Sequence, residues 1–254
     1  MKKKDTSWGN VAGWYDELLS KDADSYQTKV ILPNLLRLMD IKKGEWIFDI
    51  ACGQGFFSRE FVKAGANVVG SDIAPELIQI ARKDAPKEAI FHVAPSDDIS
   101  FEKNESFDKV VCILALQNIE KLSETIAEAA RILRKAGKLY LVLNHPAFRI
   151  PQKSGWEFDE KKKIQFRRVD EYLSESRTEI DMHPGQKESE HTVSFHRSFQ
   201  VYFKMFRKNN LAVTRLEEWI SHKASQKGPR AVAEDKARKE IPLFLFLELT
   251  SIKG

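Results

Sequence analysis

Cysteine is scarce in this 254-residue chain, occurring only as Cys52 and Cys112. The sequence places one at a strand end and the other inside an apolar run, so a disulfide framework is excluded as the source of stability. Long hydrophobic runs are missing too. The longest, Val110 to Leu116, falls far short of the ~20 apolar residues that span a bilayer, and the basic start Lys2 to Lys4 leads into no apolar signal region. The expectation is a cytoplasmic protein with no membrane partner. A surplus of one charge is also lacking: 41 Lys and Arg against 37 Asp and Glu leave +4, which argues against a nucleic-acid partner. The six histidines and two cysteines show no Cys-x-x-Cys or His-x-x-x-His spacing, so no metal is expected. A Gly-x-Ser-x-Gly elbow is absent as well, which removes Ser-His-Asp chemistry.

What is present describes a folded core. Hydrophobic residues make up 42% and charged residues 31%, the balance of a globular chain. From about residue 45 to 144, apolar strand-like runs alternate with helical patterns, the signature of a parallel α/β sheet. The predicted strands are Trp46 to Ile50, Asn67 to Ser71, Ile90 to Val93, Lys109 to Leu114 and Lys138 to Leu143. A helix is predicted over Ser123 to Lys135, with Arg134 and Lys135 at its C-terminal dipole and Gly137 as its stop. Another starts at Pro75, a residue suited to a first helical position. Tyr26 to Met39 reads as a helix that Pro33 kinks or restarts. Downstream, Arg197 to Lys208 and Ala231 to Lys239 read as helices, and Leu211 to Trp219 and Ile241 to Ile252 as strands able to pair antiparallel.

Residues 145 to 196 carry Arg, Lys, Asp, Glu, Pro and scattered aromatics without a sustained period, the pattern of an inserted cap. The expected organisation is an N-terminal helical segment over 1–40 folding across the site, a core over 41–146, a cap over 147–196, and a completion of the sheet over 197–254.

The strongest local signal is the stretch from Trp46 to Ser58, a strand closed by an acid and followed by Gly53-Gln54-Gly55 and a helix. Glycine lets backbone approach a ligand closely, and a helix N-terminus offers unpaired amide donors. A tight turn can also need glycine for packing alone. Asp72 ends the next strand 17 residues beyond Gly55, where a carboxylate can accept hydrogen bonds from ribose hydroxyls. Together they point to a nucleoside ligand.

These residues resemble the class I S-adenosylmethionine (SAM)-dependent methyltransferases, in their small-molecule, type 11-like branch. Asp49-Ile-Ala-Cys-Gly-Gln-Gly55 is similar to the family's first motif and Asp72-Ile-Ala-Pro-Glu-Leu77 to its ribose motif, while Phe107-Asp108 and Ala136-Gly137 resemble the entries to its fourth and fifth strands. The resemblance implies a Rossmann-like α/β sheet, mostly parallel with a C-terminal antiparallel pair and helices on both faces. It also implies SAM as cofactor and S-adenosylhomocysteine as product. Residue by residue, it places Asp49 near the methionine amine, Gly53 and Gly55 beneath the cofactor, Asp72 on the ribose and Ile73 against adenine. Ala51 stands where the family often has glycine. Pro95 falls where the family usually has an acid for the adenine amino group, which shifts the expectation to Ser96 and Asp97. Leu114 and Gln117, at the end of the fourth strand, are further expected contacts, as is Tyr15 in an N-terminal element resembling one that folds over the cofactor.

Methyl transfer is an in-line displacement, so alignment and exclusion of water matter more than a dedicated base. His145 opens the loop directly beyond the fifth strand, the side on which open α/β sheets bind ligands, and is the candidate catalytic residue. A histidine bonded to loop backbone is the alternative. Arg149, His196 and Arg197 are candidates for holding the acceptor. The expected activity is methylation of an O or N atom of a small molecule. RNA or protein methylation and a non-catalytic SAM-binding role are the alternatives. An NAD-dependent dehydrogenase is disfavoured because Ser58 replaces that fingerprint's third glycine or alanine.

Overall fold

The computed structural model describes residues 24–83, 85–182 and 191–252. Eleven strands and six α-helices alternate through most of this length, and seven of the strands form one sheet. Its parallel part comprises β1 (Trp46–Ile50), β2 (Asn67–Asp72), β3 (Ala89–Val93), β4 (Phe107–Ile113) and β5 (Leu133–Asn144). Strands β10 (Leu211–Trp219) and β11 (Phe244–Ser251) complete it in the order β10-β11-β5-β4-β1-β2-β3. β11 runs antiparallel to both neighbours, as the C-terminal pair required.

Why the sheet is covered on both faces is visible in its side-chain alternation. Phe48, Val110, Cys112, Leu139, Leu141, Leu245 and Leu247 point into one core cluster, shared with α4 (Leu122–Ile132) and α5 (Phe199–Lys208). Their neighbours Ile47, Val111, Tyr140, Val142, Phe244 and Phe246 enter the other, against α1 (Leu32–Met39) and Phe61 of α2 (Phe56–Lys63). Period-two alternation with both sets apolar is what a strand sandwiched between helices needs. A fifth helix on the sheet, α3 (Pro75–Lys83), packs Ile78 and Ala81 on Phe91 of β3.

Pro33 does restart its helix. A π-helical turn over Gln27–Ile31 precedes α1, and Pro33 occupies the first turn of α1, where its missing N–H leaves no bond unmade. The end of α4 differs from expectation. Leu133 is already extended and opposes Phe107 in the sheet, so Arg134, Lys135 and Gly137 belong to β5. Arg134 therefore pairs with Asp108 of β4 and not with a helix terminus. Gly137 is needed for close approach: a Cβ there would lie 3.0 Å from the Asp108 carbonyl and 2.8 Å from Leu133 Cδ1.

The region expected to be irregular contains two antiparallel hairpins, β6 (Ser154–Asp159) with β7 (Ile164–Val169) and β8 (Ser176–Asp181) with β9 (His191–His196). The last helix, α6 (Ala231–Glu240), contacts β7. No helix among the described residues is long and apolar enough to cross a membrane.

Candidate active site

The order of the sheet reverses between β1 and β4, and a cleft opens beyond the carboxyl ends of strands at such a point. A cavity of about 440 Å³ lies there. Two residues in its wall, Ala51 after β1 and Leu114 after β4, have left-handed backbones with φ of 55° and 54°. Non-glycine residues pay roughly 1–2 kcal/mol for that conformation, so the chain is bent at both sides of the cleft by the surrounding fold. A left-handed φ is the conformation that glycine adopts most easily.

Asp49, at 2% exposure, accepts a hydrogen bond from Ser58 Oγ at 2.6 Å. Burial raises its pKa to about 7, with the Asp72 charge adding to the rise and Ser58 opposing it. Asp72 is held on both oxygens, by the Gly53 amide at 3.0 Å and the Ala74 amide at 2.9 Å. Burial nevertheless raises its pKa. A carboxylate has about four lone-pair directions, so two remain for a ligand's hydroxyls. Two buried acids on one wall make a site for a positively charged, hydroxyl-bearing molecule, since the cations that line the same cavity, Lys121 and Arg177, are paired with Asp97 and Glu179.

The two glycines of the turn divide their work. A Cβ on Gly53 would meet nothing within 4 Å, so the glycine leaves space for a ligand over the cleft. A Cβ on Gly55 would fall 2.9 Å from Phe91 Cζ; this residue caps α2 at φ 78° and packs inward without lining the cavity. Gly55 thus packs behind the part of the turn that Gly53 opens toward the cavity. Ala51, Ile73, Ser96, Asp97 and Leu114 all line the cavity. Asp97 is joined to Lys121, and Ser96 Oγ lies 2.9 Å from Thr125 Oγ1. Tyr15 lies outside the described residues.

Gln117 does not reach this cavity. Its Nε2 donates to the Leu114 carbonyl at 2.5 Å, and it lines a second, smaller cavity together with Arg149, His196 and Arg197. His145 is in neither wall. It is 1% exposed, with Nε2 2.8 Å from Glu218 Oε1 and Nδ1 accepting from the Ala147 amide at 3.3 Å. Its ring stacks on Phe148 and meets Phe199 edge-on. The turn after β5 carries its side chain to Glu218 of β10 and Phe199 of α5.

Sequence reasoning missed the apolar wall. Phe56 and Phe57 follow the glycine turn, Ile119 follows β4, and Val193, Phe195 and Arg177 come from the β8–β9 hairpin. Phe56 and Phe57 were legible as the first residues after the motif. The hairpin residues were not, because their segment shows no period. Among the described residues no group of three potential ligands could hold a metal ion.

Comparison with known proteins points the same way. Residues 48–141 match a family model described as a methyltransferase domain. A ubiquinone biosynthesis O-methyltransferase of Xanthomonas oryzae pv. oryzae is 32% identical over 129 residues, which cover 47% of this chain and 54% of that protein. A demethylmenaquinone methyltransferase of Tropheryma whipplei is 30% identical over 112 residues, 43% of this chain and 46% of that protein. The chain thus spans about half the length of the curated relatives it matches. Among solved structures, a SAM-dependent methyltransferase from Mesorhizobium loti superposes with a TM-score of 0.68 at 23% identity, covering 85% of this chain and 95% of the other.

Proposed function

We propose that this chain, whose residues 48–141 match a methyltransferase domain, is a class I SAM-dependent methyltransferase that transfers a methyl group to an oxygen or nitrogen atom of a small-molecule acceptor. SAM is the cofactor, and when bound it supplies a methyl group made electrophilic by a sulfonium. The observation that carries the reading is the placement of buried Asp49 and Asp72 side by side on one wall of a glycine-cradled cleft. Asp49 matches an ammonium, Asp72 has lone pairs left for two hydroxyls, Ile73 and Leu77 supply an apolar surface, and Gly53 leaves the space they surround.

A small acceptor is supported by the shape of the cavity. At about 440 Å³ it lies in the usual 300–1,000 Å³ range for small-molecule sites, and the β8–β9 hairpin contributes Val193 and Phe195 to its wall. Phe195, Ile119 and Phe57 exclude water and orient an apolar acceptor face, which is the larger part of what an in-line transfer needs. The names of the relatives, one an O-methyltransferase of ubiquinone biosynthesis, favour an oxygen nucleophile on a small molecule. Their similarity covers about half of this chain, so the acceptor's identity rests on residues of its own.

Calorimetry with SAM and S-adenosylhomocysteine tests the cofactor. A screen of metabolite extracts for a mass gain of one methyl tests the acceptor. Methylation of RNA or protein without any small-molecule product would replace this reading.

A further inference from the structure

Behind Phe195 lies the second cavity, about 40 Å³, lined in part by Gln117, Arg149, Ser194, His196, Arg197 and Tyr202. Phe195 lines both cavities and so forms the shared wall between them. One water needs roughly 10–15 Å³ of such space, so this one takes two or three waters or a single carboxylate group.

Its electrostatics are unbalanced. Arg149 donates through Nη1 to the neutral Asn144 Oδ1 at 2.8 Å and lies over the Phe244 ring, with no carboxylate partner among the described residues. Arg197, 6% exposed, gives its terminal nitrogens to the carbonyls of Leu116 and Glu120 and has its nearest acid, Glu175, 3.9 Å away. Arg167, which adds its field to Arg149, also donates only to neutral groups, the Phe148 carbonyl and Ser154 Oγ. Arg149 and Arg167 are half-buried with no counter-charge among the described residues, and the buried Arg197 has one acid at 3.9 Å, so an anion between them gains more attraction than it would in water. In the same cavity Gln117 Oε1 is buried and accepts no hydrogen bond. An unpaired acceptor there calls for a donor as firmly as the arginines call for an acceptor.

We propose that this cavity is an anion subsite that takes one carboxylate group bearing a neighbouring hydroxyl. The carboxylate faces Arg149 and Arg197, and the hydroxyl donates to Gln117 Oε1. Such a group has two sources: the head of the methyl acceptor, reaching past Phe195, or a free small hydroxy acid. The first rests on the methyltransferase reading; the subsite itself does not.

The test titrates the full chain with sodium lactate, sodium acetate and sodium chloride at matched ionic strength, read by calorimetry and thermal shift. Lactate should bind saturably at one site per chain, at least threefold more tightly than acetate. Arg149→Gln should weaken lactate at least tenfold with SAM affinity unchanged, and Gln117→Leu should erase the preference over acetate. If Arg149→Gln does not fold, Arg149→Lys keeps the charge, loses the planar fork, and should still weaken lactate severalfold. Equal effects of the three salts, or lactate binding indifferent to these substitutions, would overturn the proposal. The two sources separate in turnover: competition between lactate and acceptor, with acceptor KM raised about tenfold in Arg149→Gln, identifies the acceptor's head group. Lactate binding without competition identifies a free anion. Loss of SAM binding with lactate binding intact would refute the methyltransferase reading alone.

Discussion

Ser58 Oγ, in the first turn of α2, donates to Asp49 Oδ2 at 2.6 Å and ties that helix to the end of β1. The bond opposes a rise in the Asp49 pKa that burial drives to about 7. Asp49 therefore titrates near neutral pH.

The first prediction is pH-dependent cofactor binding. With its folded pKa above the unfolded 3.8, Asp49 contributes stability that is fully present below 3.8 and lost as pH rises through about 7. An ammonium beside it favours the ionised form, so SAM affinity should climb from pH 5.5 to 7, by up to about tenfold per unit, and level off above. Binding near pH 6 should release a proton, detectable by calorimetry in buffers of different ionisation enthalpy. Asp49→Asn should bind more weakly and lose the pH dependence; a wild-type affinity flat over this range would show that Asp49 does not meet the ammonium.

The second prediction separates the two glycines. Gly55→Ala pushes a Cβ against Phe91 at φ 78° and should destabilise the fold by about 2–5 kcal/mol, the sum of left-handed strain and overpacking. Gly53→Ala meets no protein atom, so it should cost only the roughly 1–2 kcal/mol of backbone strain and weaken SAM at least tenfold in folded protein. Chemical denaturation and calorimetry read the two effects separately. Equal SAM affinity in Gly53→Ala would remove Gly53 from the cradle.

The sequence was most readable where one physical rule dominates. Strands β1 and β10 have the bounds expected, because apolar runs between turn residues leave little choice. The end of α4 was misread because Arg134, Lys135 and Gly137 make a good helix terminus locally; pairing of Leu133 with Phe107 overrides that preference. Asp49, Gly53 and Asp72 were legible through spacing. Phe195 was not, since its place in the wall depends on the β8–β9 register that sets it opposite Arg177. His145 was placed by its position in the chain, which gives the location of a Cα and not the direction of its side chain.

The third prediction concerns the hairpin. Phe195→Ala should raise acceptor KM by roughly tenfold or more, since truncating a half-buried aromatic that a ligand covers removes about 1.5–3 kcal/mol, while SAM affinity stays within a few fold. Steady-state kinetics with the acceptor identified by the metabolite screen provides the check. An unchanged KM would mean that the acceptor does not touch Phe195.

The last prediction is that His145 anchors the loop after β5 and takes no proton from the acceptor. Its ring contacts Glu218, Phe148 and Phe199 and lines neither cavity. His145→Ala should lower stability by about 2–4 kcal/mol, from the lost packing and the unpaired partners. His145→Asn should recover part of that and turn over within about threefold of wild type. The pH dependence supplies a second signature. Burial lowers the His145 pKa below 6.5 against the opposing pull of Glu218. The unfolded chain therefore takes up a proton here more readily than the folded one. The wild type should lose stability as pH falls through 6.5 toward the lower folded value, whereas His145→Asn lacks this loss, so the gap between the two should narrow in acid. Urea unfolding at pH 5 and pH 8 measures the gap. A base at this position would give the opposite result, a fall in rate of about 10²- to 10⁴-fold in both variants with stability little changed in His145→Asn.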